Sequence, residues 1–283
     1  MKIGICSTDF APTGIDELFR KISGHGFDAV QFSYVSIGMD EIPETIPDEV
    51  ICAINDAAQK YGVEIVAVNA TFNLIDSDHQ RLARNLRAMD GMCRANRKLH
   101  CPLLTLCTGS RNSDSMWGWH PDNGTRQAWD ELVQNLRPVV DTAARYDMYL
   151  GVETEANNVV MTPQLARKLM DQMGYDRLKV ILDCANLFWK GKAHRENVEP
   201  TIRDAFGQVG GDIVLAHGKD LADSDDLVFV PAGKGIVDFD LFLELLKQHG
   251  YTGAMVMHAI YDEAQMSGCV EFMRQKIKAH GLA

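Results

Sequence analysis

The sequence predicts an α/β protein folded as a single (β/α)8 TIM barrel spanning residues 1–283. Three observations lead there. Eight short, apolar, β-rich runs punctuate the chain, segments of helical period lie between them, and no GxGxxG follows the first run. The alternation is that of βα units, and without the glycine motif a doubly wound dinucleotide-binding sheet is disfavoured. At roughly 100 to 200 residues per domain, this length allows two small domains or one barrel, which commonly exceeds the usual domain size.

The expected strands, in order, are Lys2 to Cys6, Ala29 to Tyr34, Glu64 to Asn69, Leu103 to Cys107, Tyr149 to Glu153, Lys179 to Asp183, Ile213 to His217 and Ala254 to His258. Each is nearly continuous in apolar character rather than alternating, as a parallel strand packed on both faces requires. The clearest helix is expected over Arg126 to Tyr146. There Trp129, Leu132, Val133, Leu136, Val139, Val140 and Ala143 fall three or four apart and define one apolar face. Pro138 lies within it and is expected to kink or break it. Weaker helical periods cover Glu49 to Tyr61, Gln80 to Leu99, Thr162 to Met173, Asp238 to His249 and Glu263 to Ile277. No segment reads as a linker, a repeat or low complexity. The loop from Thr108 to Thr125 is long and polar around a Met-Trp-Gly-Trp-His stretch, and long loops in compact domains usually serve function.

Composition excludes several classes. Hydrophobic residues make up 46% and charged residues 24%, a globular balance that rules out disordered, collagenous and coiled-coil chains. Lys and Arg total 28 against 39 Asp and Glu, a formal charge of −11 that repels a nucleic-acid backbone unless basic residues segregate, and they do not. No run approaches the roughly 18 apolar residues of a membrane span, and Lys2 to Cys6 is too short for a signal-peptide core. A cytoplasmic protein with neither nucleic-acid nor membrane partners is expected. The seven cysteines (Cys6, Cys52, Cys93, Cys101, Cys107, Cys184, Cys269) have no CxxC spacing and are expected to be reduced and mostly buried.

In a (β/α)8 barrel the active site lies at the C-terminal ends of the strands. The third run ends in Asn69, the fifth in Glu153 with Glu155 just beyond, the sixth in Asp183, the seventh in His217 with Lys219 and Asp220, and the eighth in His258. A carboxylate directly after an apolar strand is costly unless strongly partnered. Two carboxylates and one or two imidazoles from separate strands are the ligand set of one divalent ion such as Mn²⁺, Co²⁺ or Zn²⁺. Glu153, Asp183 and His217 are therefore candidate ligands. His258 is a fourth ligand or a proton carrier, because imidazole titrates near neutrality. Lys219 follows His217 by two residues, so on an extended segment it points to the same side, where an ammonium could stabilise an oxyanion or a phosphate. Candidates for substrate contact are Asn69, Glu155, Asn157 and Asn186, with Arg111, Trp117 and His120 in the long loop.

This strand-end pattern resembles the xylose isomerase-like TIM-barrel superfamily of sugar and sugar-phosphate isomerases and epimerases, over essentially the whole chain. In that superfamily a Glu after strand five, an Asp after strand six, a His after strand seven and a Glu after strand eight bind one divalent metal. The first three match Glu153, Asp183 and His217. His217 opens an HGKD segment that looks like the common HxKD form, and PAGKGIVDFDLF, from Pro231 to Phe242, resembles the family's glycine-rich entry into the last helix. Two departures mark a divergent subgroup: His258 stands in place of the strand-eight Glu, and Asn186 stands where some keto-sugar epimerases carry a His.

The resemblance implies a sugar or keto-sugar isomerase or epimerase with one divalent metal, Mn²⁺ in the first place and Co²⁺, Zn²⁺ or Mg²⁺ as alternatives. The metal would stabilise an enediolate while Glu153, His258 or both move the proton. The same proton abstraction leads to elimination if a leaving group sits one carbon farther, so a metal-dependent lyase or dehydratase on a keto-sugar or keto-inositol is the adjacent reading. The missing strand-eight Glu leaves open a non-catalytic sugar-binding barrel, and the acidic charge weighs against an apurinic-endonuclease-like nuclease. The implied partner is a small carbohydrate, and a homo-oligomer is compatible with it.

Overall fold

The computed structural model describes residues 1–283. Eight parallel strands close into a barrel: β1 (Ile3–Cys6), β2 (Ala29–Phe32), β3 (Glu64–Asn69), β4 (Leu103–Leu106), β5 (Tyr149–Glu153), β6 (Leu178–Asp183), β7 (Ile213–Gly218) and an eighth, Met255–Met257. Each pairs with the next, and the eighth closes on β1 with Met255 opposite Ile3. Around them run α1 (Ile15–Gly24), α2 (Asp48–Tyr61), α3 (His79–Lys98), α4 (Arg126–Arg145), α5 (Pro163–Met173), α6 (Arg195–Val209), α7 (Phe239–Gln248) and α8 (Met266–Ala279). A short antiparallel hairpin, Asp220–Leu221 with Phe229–Val230, follows β7.

Successive side chains of a strand point to opposite faces, so each strand sends one set to the helices and the other into the lumen. The outward set joins the helix faces in one large apolar core. The inward set forms a separate buried cluster that includes Ala29, Ala67, Leu103, Ile181, Leu215 and Val256. Gly151 completes this layer from β5, where an added Cβ would lie 2.8 Å from Ile181 Cγ1. Two residues farther along the same seven strands stand Gln31, Asn69, Thr105, Glu153, Asp183, His217 and His258, all lining or facing one cavity. The lumen is thus apolar below and polar above, and the period of two fixes which residues meet at the mouth.

All eight expected strands form, two with the expected bounds and six with an end displaced by one or two residues. The strand expected to reach Tyr34 stops at Phe32 and turns into a 3₁₀ segment, Tyr34–Ile37. Two helices were not anticipated. α1 buries only Leu18, Phe19 and Ile22, and α6 carries Pro200 and Gly207 within its span. The expected disruption at Pro138 is corrected in part, because α4 runs unbroken. Pro138 and Gln134, whose carbonyl loses its helical donor, both face solvent, so the lost bond leaves no buried carbonyl unpaired. All seven cysteines are free thiols, and every one except Cys52 is buried. No helix is long and apolar enough to cross a membrane.

Candidate active site

Glu153 ends β5, Asp183 ends β6, His217 sits one residue before the end of β7, and His258 follows the eighth strand directly. Their donor atoms all lie within 4.8 Å of one another. His217 Nδ1 is 3.3 Å from Glu153 Oε1 and 3.8 Å from Asp183 Oδ2, and His258 Nε2 is 2.6 Å from Asp183 Oδ2. Donors about 2.1 Å from a common ion lie at most about 4.2 Å apart, and these three separations fall inside that limit. The donor set is two carboxylates and two imidazoles, which fits a divalent ion of intermediate hardness.

The carboxylates are buried but not isolated. Asp183 is fully buried; its Oδ1 accepts from the Ala185 and Asn186 amides at 2.7 and 3.1 Å, and Lys219 Nζ lies 3.3 Å from Oδ2. Burial pushes its carboxyl upward, but Lys219 and the two imidazoles hold it well below the usual range. Glu153 behaves alike: burial raises it, and His217 pulls it lower than an ordinary glutamate. His217 gains in return, because Glu153 and Asp183 overcome the burial that opposes its charge and hold its pKa at about 9. Binding a cation among these groups displaces that proton.

Asn186 ties the cluster together. Its Nδ2 donates to Glu153 Oε1 at 2.8 Å and to Glu155 Oε1 at 2.6 Å, and its Oδ1 accepts from Lys219 Nζ. Lys219 is 4% exposed and its Nζ also rests 4.1 Å from the centre of the Phe229 ring. Glu155, half-buried beside Glu153, is raised to about 8 by desolvation first and by that neighbouring carboxylate second. Asp220, the last residue of the HGKD segment, serves the loop above: its carboxylate accepts from the Leu221, Gly233, Gly235 and Val237 amides at 2.9 to 3.0 Å. The glycine-rich stretch needs its glycine there, since a Cβ on Gly235 would sit 2.3 Å from Asp220 Oδ1.

The cavity above these groups encloses about 600 Å³. Among the candidate substrate contacts, Asn69, Trp117, Glu155, Asn157 and Asn186 line it. Asn157 also clasps the long loop, donating to the Trp117 carbonyl at 2.9 Å. Arg111 and His120 do not line it, which corrects their expected substrate contact. Arg111 turns to an ion pair with Glu131, and His120 Nδ1 accepts from the Asp122 amide at 3.2 Å, capping the 3₁₀ turn Pro121–Gly124. Polarity and loop position do not specify which way a side chain turns, and both found partners on their own side of the loop.

Several lining residues were not singled out from the sequence. Gln31 Oε1 accepts from His217 Nε2 at 2.9 Å, Thr105 Oγ1 donates to Asn69 Oδ1 at 3.0 Å, and the buried Ser33 hydroxyl lines the cavity with no partner. Gln31 in AVQF and Thr105 in LLTL are polar residues inside otherwise apolar strands, a signal present in the sequence.

A closed parallel barrel with a four-donor cluster at its strand ends defines a TIM-barrel protein with a candidate metal centre. The chain belongs to the xylose isomerase-like TIM barrel family, whose sequence model matches residues 19–276. No curated protein sequence matches the chain significantly. Among solved structures, 3-keto-D-glucoside 4-epimerase from E. coli in its apo form superposes with a TM-score of 0.73 at 18% identity, covering 97% of this chain and 99% of that one. A D-tagatose 3-epimerase-like protein gives 0.74 at 18% identity, over 99% and 98% of the two chains. The IOLI protein with a bound zinc atom gives 0.73 at 16% identity, over 99% and 98%.

Proposed function

We propose that this protein is a sugar or keto-sugar isomerase or epimerase dependent on one divalent metal. The observation that carries the reading is the convergence of Glu153, Asp183, His217 and His258 from four strands at the floor of one cavity walled by amide and hydroxyl groups. Mn²⁺, or alternatively Co²⁺, Zn²⁺ or Mg²⁺, held by Glu153, Asp183 and His217 with His258 beside it, would supply Lewis acidity to a substrate carbonyl and its neighbouring hydroxyl.

Glu153, kept ionised by His217, takes the proton from the hydroxyl-bearing carbon beside the carbonyl. His258, the most exposed member of the set, returns a proton to the former carbonyl carbon in an isomerisation or to the opposite face of the same carbon in an epimerisation. Lys219 keeps its charge, since Asp183 and the two glutamates outweigh the burial that opposes it, and it faces the oxygen on which negative charge develops. Asn69, Asn157, Asn186, Glu155 and Trp117 position the sugar. The family and the epimerases among the structural neighbours support this reading.

The test is proton exchange. Incubated with a keto-sugar panel in D₂O, the metal-loaded protein is expected to wash deuterium into the carbon beside the carbonyl of its substrate, read by mass spectrometry. Absence of exchange across the panel, with metal bound, overturns the proposal. One observation favours elimination as a second reading: an imidazole at the strand-eight position makes the two proton carriers chemically unequal. Isomerisation conserves substrate mass, whereas elimination releases water or an alcohol, so the same spectra separate the two.

A further inference from the structure

The molecule exposes five large hydrophobic side chains, and all five lie on one face. Trp117 and Trp119 are in the loop after β4, Trp189 in the loop after β6, Val228 in the turn of the hairpin after β7, and Tyr261 in the loop after the eighth strand. Single exposed apolar residues are ordinary on a soluble protein. Their confinement to the loops at the cavity end of the barrel is not, and such grouping marks a binding surface.

Trp117 and Tyr261 line the cavity itself, and Leu227 joins them. Tyr261 is 84% exposed, so its ring lies open to any ligand that reaches the mouth. Trp117 is carried on a tied loop, since Asn157 and Asn158 donate to the carbonyls of Trp117 and Met116, each at 2.9 Å. Below this rim the lining is polar, so the cavity offers a hydrophilic floor and an apolar opening. Its volume of about 600 Å³ falls in the range of sites for drug-sized ligands and exceeds what one sugar ring fills. Charge narrows the ligand further. Lys219 is the only lysine or arginine of the lining, and it lies on the floor beside Asp183 and Asn186, away from the rim. Nothing at the rim would hold a phosphate.

We propose that the ligand of this site is an uncharged glycoside with a planar aromatic aglycone, its sugar on the polar floor and its aglycone against Trp117 and Tyr261. This deepens the isomerase reading and rests on it only in placing a sugar on the floor.

The test compares phenyl and methyl glucosides, in both anomers, by titration calorimetry on the metal-loaded protein. Neither has a carbonyl, so neither reacts during the titration. A phenyl glucoside is expected to bind at least about tenfold tighter than its methyl counterpart, which needs only part of the ring's area buried. In the variant Tyr261→Ala that preference is expected to fall while methyl glucoside affinity holds, and in the double variant Trp117→Ala, Tyr261→Ala it is expected to collapse. Equal affinity for the two in wild type, a preference that survives in the double variant, or no binding of either overturns the inference. Failure of the isomerase reading shows separately: deuterium exchange is then absent for keto-sugars while the phenyl preference and its loss in the variant persist.

Discussion

His217 Nε2 donates to Gln31 Oε1 across the lumen at 2.9 Å, which leaves Nδ1 as the nitrogen aimed at Glu153 and Asp183. An amide oxygen only accepts, so Gln31 fixes the imidazole tautomer as well as its orientation. Partners of this kind tune metal-binding histidines, and their loss typically costs about 10- to 100-fold in affinity. Gln31→Leu is expected to weaken Mn²⁺ or Zn²⁺ binding by that factor, measured by calorimetry. Gln31→Glu, which keeps an acceptor, is expected to stay closer to wild type. Unchanged affinity in Gln31→Leu would remove Gln31 from this role.

The four-donor cluster predicts a division of labour. His217→Ala and Asp183→Ala are expected to lose stoichiometric metal on elemental analysis, because each removes a buried donor facing the others. His258→Ala is expected to retain metal, more weakly held, and to lose about 10²- to 10⁴-fold in deuterium exchange rate, the usual contribution of a positioned acid or base. Full exchange activity in His258→Ala would assign both proton steps to Glu153.

Asp220 holds four backbone amides with one carboxylate. Asp220→Ala leaves those donors without their acceptor and is expected to destabilise the protein by about 3 kcal/mol, the scale for unsatisfied buried groups. Hydrogen exchange should quicken at Gly233, Gly235 and Val237 before the barrel strands respond. Protection unchanged at those amides would show that the loop does not depend on Asp220.

A pH effect is expected at the opposite end of the barrel. Partial burial would raise the Asp212 carboxyl, but Arg167 and Lys179 hold it below its ordinary value. A depressed folded pKa stabilises above the unfolded value of about 3.9, and that stabilisation disappears as pH falls through the folded value. Asp212→Asn should therefore cost about 1 kcal/mol near neutrality, discounted for the partial exposure of Arg167. The denaturation curves of variant and wild type should converge once the pH falls below that folded value. A difference that persists at that acidity would point to lost packing instead.

The strands and their terminal residues were legible because burial in a parallel barrel leaves a continuous apolar run, and the first charged residue after it stands out. Glu153 and Asp183 carry that signal directly. Gln31 and Thr105 carry a quieter one, a polar residue inside a strand, whose meaning depends on knowing that the residue two places before it, Ala29 or Leu103, faces the lumen. Arg111 and His120 show the opposite limit. A loop's composition names its side chains without giving their directions, and those directions were decided by Glu131 and by the amide of Asp122. α6 was obscured because Pro200 lies on its exposed face, where a helix tolerates it and a sequence pattern does not reveal the fact.

The apolar layer from Ala29 to Val256, with Gly151 beneath Glu153, has a kinetic consequence. It stoppers the lumen from below, so Glu153, Asp183 and His217, each no more than 8% exposed, communicate with bulk water through one opening. A ligand seated in that opening closes the route by which a proton taken from it could escape. Return of that proton from Glu153 to its own carbon then competes with delivery of a second one from His258, so unlabelled starting sugar is regenerated before label enters it.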